Sequence, residues 1–253
     1  MSSHRIGPRI DLMRGLSLWT RTNGSNDRRR SSDYRRATTR RANSVNPLYP
    51  GLLQLERKVA RCEAAYTARN QPTVFEMTPV ARDCGMEDVL VARNYEKVAT
   101  TCVQTLTLDG PVTETQDAEI LDVADDGWMA DYGRIKRIDR AELRKTKAVL
   151  DRIGVVKKFV SIRVDGYRAA AGIAAIEDAH VGLFGIATDP DHRRKGLGGR
   201  VTDALLGTGY FNGARQAYLQ VEADNRAALE LYGGKGFHDL YRYWYRVKEC
   251  GNG

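Results

Sequence analysis

A strand, a basic glycine loop and a helix follow one another between Leu183 and Leu206. The apolar run at residues 183–187 must end at Asp189-Pro190, because proline lacks an N–H and moves the residue before it out of the helical region. After the loop, apolar side chains recur at the spacing of one buried helical face: Leu197, Val201, Ala204 and Leu205. The glycines at the end of the loop therefore open a helix.

The loop combines glycines with cations, as a polyphosphate site requires. Its members are Arg193, Arg194, Lys195, Gly196, Gly198, Gly199 and Arg200. A helix start offers unpaired N–H groups and the positive end of the helix dipole, and glycine lets an anion approach the backbone closely. A Rossmann loop would need a third small residue where Val201 stands, and the Gly-Lys-Ser/Thr of a Walker loop is absent. We therefore expect a polyphosphate cofactor of another class.

A second strand and helix follow in residues 217–237. Here Asn225-x-x-Ala228 is followed by Leu231-Tyr232 and Gly236-Phe237. With Arg193-Arg-Lys-Gly-Leu-Gly198, which is similar to an Arg/Gln-x-x-Gly-x-Gly/Ala pyrophosphate loop, this order of motifs resembles the GNAT superfamily of N-acetyltransferases. The resemblance extends from about Lys157 to Val247. It implies an α/β protein with a mixed sheet, and acetyl-CoA as the acyl donor.

The resemblance also implies a set of coenzyme-binding residues. These are Ile186, Ala187, Thr188, Arg193, Arg194, Lys195, Gly196, Leu197, Gly198, Gly199, Asn225, Ala228 and Tyr232. The N–H groups of residues 185–187, at the end of the first strand, are candidate donors to the thioester oxygen. Tyr232 lies seven residues after Asn225 and so almost on the same helical face. We expect its hydroxyl to protonate the leaving thiolate; simple packing beneath the strand is the alternative.

A base is also needed, because an amine with a pKa of about 10 is neutral only about one part in a thousand at pH 7. Related sequences often place a carboxylate where Gly185 stands here, so that role is vacant or has moved. Glu222, just before Asn225 on the second strand, is the first substitute. A solvated surface glutamate is the alternative. Further candidates lie in the preceding turn: Glu177, Asp178 and His180.

The first half of the chain is similar to the first domain of tandem GNAT proteins, through Arg41-Ala-Asn-Ser-Val45 and the helix around Glu56–Glu63. It carries no Arg-x-x-Gly-x-Gly loop. We therefore expect residues 1–110 to form a degenerate GNAT-like domain that binds no coenzyme, and residues 116–253 to form the catalytic GNAT domain, with a polar linker between them. Only one strand follows Phe237 where the family commonly has two, so we expect the first half to fill the missing edge.

Local patterns predict the other elements. We expect helices at 52–68, 84–94, 127–132 and 139–153, strands at 72–78, 98–108 and 240–247, and a hairpin at 159–176 that turns at Asp165-Gly166. Asp139 is the candidate N-cap of the helix at 139–153. A turn between two strands is expected at 23–27.

Charge and composition restrict the partners. The net charge of +8 favours an anionic ligand, and coenzyme A alone would suit it. Seven arginines and one aspartate lie in 28–41. A solvated strand pair or flexible arm explains this segment, and binding to nucleic acid or an acidic partner is the alternative.

Four scattered cysteines and four histidines show no ligand spacing, so we expect no metal. With no apolar run of membrane length and no leader pattern, we expect a cytoplasmic protein that spans no membrane.

These observations predict an acetyl-CoA-dependent N-acetyltransferase that acts on a primary amine of a small molecule, such as an antibiotic or an amino acid. A protein lysine or N-terminus is the alternative acceptor. From another class, the segment 28–41 would make the chain a nucleic-acid-associated protein, which we do not expect. We expect a monomer or a homodimer.

Overall fold

The computed structural model describes residues 40, 43–47, 53–111, 115 and 117–250 of the 253-residue chain. The turn predicted at 23–27, the arginine-rich segment except Arg40, and part of the predicted linker lie outside these residues. The described elements are α1 (Leu55–Thr67), β1 (Thr73–Met77), α2 (Pro79–Asp83), α3 (Met86–Ala92), β2 (Glu96–Thr107), β3 (Ala118–Leu121), α4 (Asp126–Lys136), α5 (Arg140–Arg152), β4 (Val156–Val164), β5 (Tyr167–Glu177), β6 (His180–Thr188), a 3-10 turn (Pro190–His192), α6 (Leu197–Phe211), β7 (Gln216–Glu222), α7 (Arg226–Gly234) and β8 (His238–Lys248). The predicted mixed α/β class is confirmed.

The chain divides into two compact units. The first unit contains Gln104–Gln220 and Ala227–His238. The second contains the described residues up to Val103, together with Val221–Arg226 and the residues from Asp239 on. Strands β2 and β7 each contribute residues to both units. The predicted catalytic domain at 116–253 and its degenerate partner at 1–110 stay predictions.

In the first unit, the strands follow the order β2, β7, β6, β5, β4, β3. The β6–β7 pair is parallel, and the β5–β6, β4–β5 and β3–β4 pairs are antiparallel. The Leu108 N–H donates to the Arg215 carbonyl at 2.9 Å, and the Thr105 hydroxyl donates to the Ala217 carbonyl at 3.0 Å. The first half of the chain therefore supplies the strand that lies beside β7.

Helix α6 packs on this sheet through the face that its sequence predicts, since Leu197, Val201, Ala204 and Leu205 are all buried. The contact is close: a Cβ on Gly172 of β5 would lie 2.8 Å from the Leu205 side chain. The predicted hairpin is also present, and both of its turn residues have positive φ, as a type I′ turn requires. Strand β3, at the edge of the sheet, was not predicted.

Helix α4 packs on β5 and β6 of the same unit. It begins where the Asp125 carboxylate accepts the Trp128 N–H at 2.6 Å. The Trp128 ring is fully buried, stacks on Tyr132 at 4.9 Å and meets the edge of Phe159. Helix α5 has the predicted N-cap, because Asp139 accepts the Glu142 N–H at 2.8 Å.

The second unit has its own core. Its strands follow the order β1, β8, β2, and β1 pairs antiparallel with β8. Buried side chains from α1, β1, α2 and α3 form the core together with one tyrosine: Val59, Phe75, Met77, Ala81, Met86, Leu90 and Tyr95. No helix of the described residues is long and apolar enough to cross a membrane.

Candidate active site

A bulge interrupts β6 near its end. Ala171 of β5 pairs with Ala187, and Ile173 pairs with Phe184, so Gly185 and Ile186 together stand opposite the single residue Gly172. Gly185 has a φ of 59°, a left-handed conformation that suits glycine. A bulge disrupts the regular ladder and leaves the extra residue unpaired. Among the three residues predicted as donors to the thioester oxygen, the bulge singles out Gly185 and Ile186.

Beyond the bulge, the chain passes through Asp189 and the 3-10 turn into the predicted loop. The loop ends at Gly196, which is the N-cap of α6 with a φ of 75° and has no side-chain cap. The first hydrogen bond of the helix runs from the Arg200 N–H to the Gly196 carbonyl at 3.1 Å. The N–H groups of residues 197–199 therefore have no partner within the helix, which is the arrangement that binds anions.

The cations of the loop divide into two groups. Arg193, Arg194 and Lys195 are exposed, and no carboxylate in the described part of the chain forms an ion pair with them. Arg200 instead forms an ion pair with Asp117. Three of the four predicted cations are thus available to a polyphosphate.

Lys235 also lies beside the loop, and sequence reasoning missed it. Its Nζ would be 3.9 Å from a Cβ on Gly199, and it forms an ion pair with Asp203 of α6 at 2.6 Å. Thr188 and Leu231 flank Gly198 in the same way, with atoms 3.6 and 3.3 Å from a Cβ placed there. The only sequence signal for Lys235 is its position just before Gly236-Phe237.

Asp189 anchors the start of the loop. Its carboxylate accepts the Asp191 N–H at 3.1 Å and forms a short ion pair with Arg134 of α4. These contacts lower the pKa of Asp189, first through the bond from the Asp191 N–H and then through Arg134. Arg134 also donates to the Arg168 carbonyl at 2.6 Å. Helix α4 and β5 therefore hold the turn that leads into the loop.

Arg168 extends this anchor into an ion-pair network. It donates to both carboxylate oxygens of Glu119 at 2.6 and 2.8 Å, and to Asp131 at 3.1 Å. The bond from Arg168 lowers the pKa of Glu119 to about 2, with help from Ser161 and against the opposing effect of burial. The network joins β3, β5 and α4 within the first unit.

Tyr232 lies on α7, and its side chain is buried against the edge of Phe237. Burial raises the pKa of Tyr232 to about 12. No described residue is within hydrogen-bond distance of its hydroxyl. The hydroxyl oxygen does not belong to the buried, unbonded polar atoms of the described residues, so a ligand or water can reach it, and the catalytic role of Tyr232 stays a prediction.

The remaining predicted residues lie around the end of β7. Glu222 is its last residue and is exposed, and its carbonyl accepts the Asn225 N–H at 3.0 Å. Glu222 and Asn225 belong to the second unit, whereas the loop, Ala228 and Tyr232 belong to the first. The structure thus groups most of the predicted coenzyme residues in one unit.

Comparison with known proteins identifies the family of the chain. Residues 33–246 match the family described as "Probable histone acetyltransferase Rv0428c C-terminal". The chain is 28% identical over 218 residues to the uncharacterized N-acetyltransferase YobR of Bacillus subtilis, covering 83% of this chain and 86% of that protein. It is 36% identical over 75 residues to the ribosomal protein bS18-alanine N-acetyltransferase of Escherichia coli, covering 30% of this chain and 51% of that protein.

Solved structures share the fold. A tandem GNAT protein from the clavulanic acid biosynthesis pathway superposes with a TM-score of 0.60 at 14% identity, covering 78% of this chain and 69% of that one. A GCN5-related N-acetyltransferase from Kribbella flavida superposes with a TM-score of 0.56 at 19% identity, covering 78% and 76%. The predicted resemblance is confirmed. The chain belongs to the family described as probable histone acetyltransferase Rv0428c C-terminal and is an N-acetyltransferase of the GNAT superfamily.

Proposed function

We propose that the protein transfers the acetyl group of acetyl-CoA to the primary amine of a small molecule. The observation that carries this proposal is the exposed, unpaired trio Arg193–Lys195 at the open start of α6, directly after the bulge of β6. Cations without a carboxylate partner and helix N–H groups are the groups that bind a diphosphate. The proposed coenzyme-binding residues are Ile186, Ala187, Thr188, Arg193, Arg194, Lys195, Gly196, Leu197, Gly198, Gly199, Asn225, Ala228 and Tyr232.

Acetyl-CoA, when bound, supplies a thioester carbonyl that an amine can attack and a thiolate that can leave. The first contribution of the chain is at the bulge, where the N–H groups of Gly185 and Ile186 would donate to the carbonyl oxygen of the thioester. Donors held in place by the strand stabilise the negative charge that develops there without having to reorganise.

Tyr232 acts at the sulfur. Because its pKa is about 12, its hydroxyl is protonated at neutral pH and is always available as a donor. A thiol has a pKa of about 8.5, so complete proton transfer from Tyr232 to the thiolate would cost about 5 kcal/mol until the tyrosine regains a proton. We therefore propose that the Tyr232 hydroxyl would donate a hydrogen bond and then its proton to the leaving sulfur, and would regain a proton from water before the next turnover.

Glu222 is the proposed acceptor of the proton that the amine releases. Its support is its exposure at the end of β7. A carboxylate at the surface can pass the proton that it accepts on to water after each turnover.

The small acceptor is the hypothesis that the sequence favours. Tyr132 of α4 fills the volume that a side chain at residue 185 would occupy, so a polar hydroxyl lies beside the bulge where the amine is proposed to react. A second candidate is the N-terminal amine of a protein, which the 36% identity to the bS18-alanine N-acetyltransferase favours. Since the chain spans about half of that relative, the small amine remains our proposal. We also propose that residues 1–110 bind no coenzyme.

The test compares the two acceptor classes in one assay. The full chain and acetyl-CoA are incubated with an alkylamine, an aralkylamine, a polyamine, an aminoglycoside and an amino acid, and separately with peptides that carry an alanine N-terminus or an internal lysine. Acetylated products are measured by mass spectrometry and thioester loss by ultraviolet absorbance. We expect transfer to at least one small amine at a higher kcat/KM than to any peptide. Faster transfer to the peptides would replace the small amine with the second candidate, and no transfer to any acceptor would refute the function.

A further inference from the structure

The bulge of β6 has a second feature besides its backbone donors. A Cβ built on Gly185 would lie 2.1 Å from the Tyr132 hydroxyl oxygen and 3.2 Å from the ring carbon that carries it. No side chain fits at residue 185 while this hydroxyl is in place. The sequence therefore has glycine at the bulge, and α4 supplies the polar group next to it.

Tyr132 is held firmly in this position. Its ring stacks on Trp128 at an interplanar angle of 16°, and the Lys136 ammonium lies 5.4 Å from its centre. Helix α4 is in turn fixed by two ion pairs, from Asp131 to Arg168 and from Arg134 to Asp189. The hydroxyl therefore points at the bulge from a rigid support, which is the condition for a precise contact with a ligand.

The hydroxyl of Tyr132 lacks a protein partner. The residue is only 3% exposed, and no described residue forms a hydrogen bond with its hydroxyl. The hydroxyl oxygen does not belong to the buried, unbonded polar atoms of the described residues, so the small exposed part of Tyr132 includes it. A polar group of a substrate can therefore reach this oxygen and bond to it.

We propose that the Tyr132 hydroxyl binds and orients the acceptor amine. This inference rests on the proposed function. The oxygen accepts a hydrogen bond from one N–H of the amine, which directs the nitrogen lone pair at the acyl carbon held beside Gly185 and Ile186. A primary amine has two N–H groups, so it can donate one to Tyr132 and release the proton of the other. An N-methylated amine has only one N–H group, so it cannot both donate to Tyr132 and release a proton from a second N–H.

The test is the preference for primary over N-methylated amines. The best amine of the panel and its N-methyl derivative are compared with wild type, Tyr132→Phe and the control Tyr167→Phe, which changes a largely exposed tyrosine at the start of β5. We expect Tyr132→Phe to lower kcat/KM for the primary amine roughly tenfold, the size of one lost hydrogen bond. The rate with the N-methyl derivative should change less, so the preference shrinks. Acetyl-CoA affinity and Tm should match those of wild type, because no protein group loses a partner.

The outcomes separate the two proposals. If wild type acetylates amines and Tyr132→Phe keeps the same preference, the role of Tyr132 is refuted and the function stands. If wild type acetylates nothing, the function itself fails. A further experiment tests the contact between residue 185 and the Tyr132 hydroxyl. Gly185→Ala should lower the Tm strongly in the wild-type background and less in the Tyr132→Phe background, because the oxygen that clashes with the new methyl group is absent there. Equal losses in both backgrounds would also overturn the inference.

Discussion

Replacing Glu119 with glutamine should destabilise the first unit in a pH-dependent way. The pKa of Glu119 is lowered from 4.5 to about 2, first by its bond from Arg168. A carboxylate with a lowered pKa contributes stability that is present above the unfolded value and is lost as the pH falls through the folded value. The contribution of Glu119 should thus be complete above about pH 5 and decline between pH 4.5 and 2.

The magnitude follows from this pKa. A decrease from 4.5 to about 2 corresponds to about 3.4 kcal/mol at 1.36 kcal/mol per pKa unit. Since 29% of the Glu119 side chain is exposed to solvent, which screens the charge, we expect about half of that amount. Glu119→Gln should therefore lower the free energy of unfolding by about 1.5–2 kcal/mol at pH 7, because Arg168 is left buried with only Asp131.

Urea unfolding at intervals from pH 8 to pH 3 measures this effect. The stability of wild type should fall more steeply below pH 4.5 than that of Glu119→Gln, so that the two curves approach each other. Glu96→Gln is the matched control, because Glu96 is exposed at the start of β2 and forms no ion pair with a described residue. Parallel curves for wild type and Glu119→Gln would show that the network does not lower the pKa of Glu119.

Three further predictions concern the site. Gly198→Leu should weaken acetyl-CoA binding about 10- to 100-fold by calorimetry, because the leucine displaces one or more charge-assisted bonds between the loop and the diphosphate, each of about 1.5–3 kcal/mol. The control Gly154→Leu should leave the affinity unchanged, since a Cβ at residue 154 would meet nothing within 4 Å. Tyr232→Phe should lower kcat about 100-fold with unchanged acetyl-CoA affinity and Tm, and wild-type turnover in this variant would remove its catalytic role. Burial raises the pKa of Tyr232 to about 12, so the contribution of Tyr232 to stability is complete below pH 10 and is lost as the pH rises toward 12. Wild type should therefore lose more stability than Tyr232→Phe between pH 10 and pH 12. Equal losses in the two proteins would contradict the raised pKa.

Structural features that depend on residues close together in the sequence were predictable. The buried face of α6 repeats at helical spacing, the β4–β5 hairpin turns at Asp165-Gly166, and Asp139 precedes α5 as its N-cap. Each of these depends on residues a few positions apart. The loop of the site is of the same kind, because a strand, glycines and a helix follow one another without interruption.

Features that depend on distant residues were not predictable. Strand β3 has four residues and exists through its pairing with β4, so it has little periodicity of its own. The fit of Tyr132 against Gly185 and of Lys235 against Gly199 joins residues far apart in the chain. The sequence showed only that a carboxylate was missing at residue 185. The structure shows that a tyrosine from α4 fills that space.

Calorimetric titration of the full chain with acetyl-CoA tests the central claim most directly. We predict one molecule bound per chain, and a loss of affinity of about tenfold or more in Arg194→Glu, which reverses one of the unpaired charges of the loop and keeps the Tm of wild type. Unchanged affinity in Arg194→Glu, or two molecules bound per chain, would contradict the assignment of this loop as the single coenzyme site.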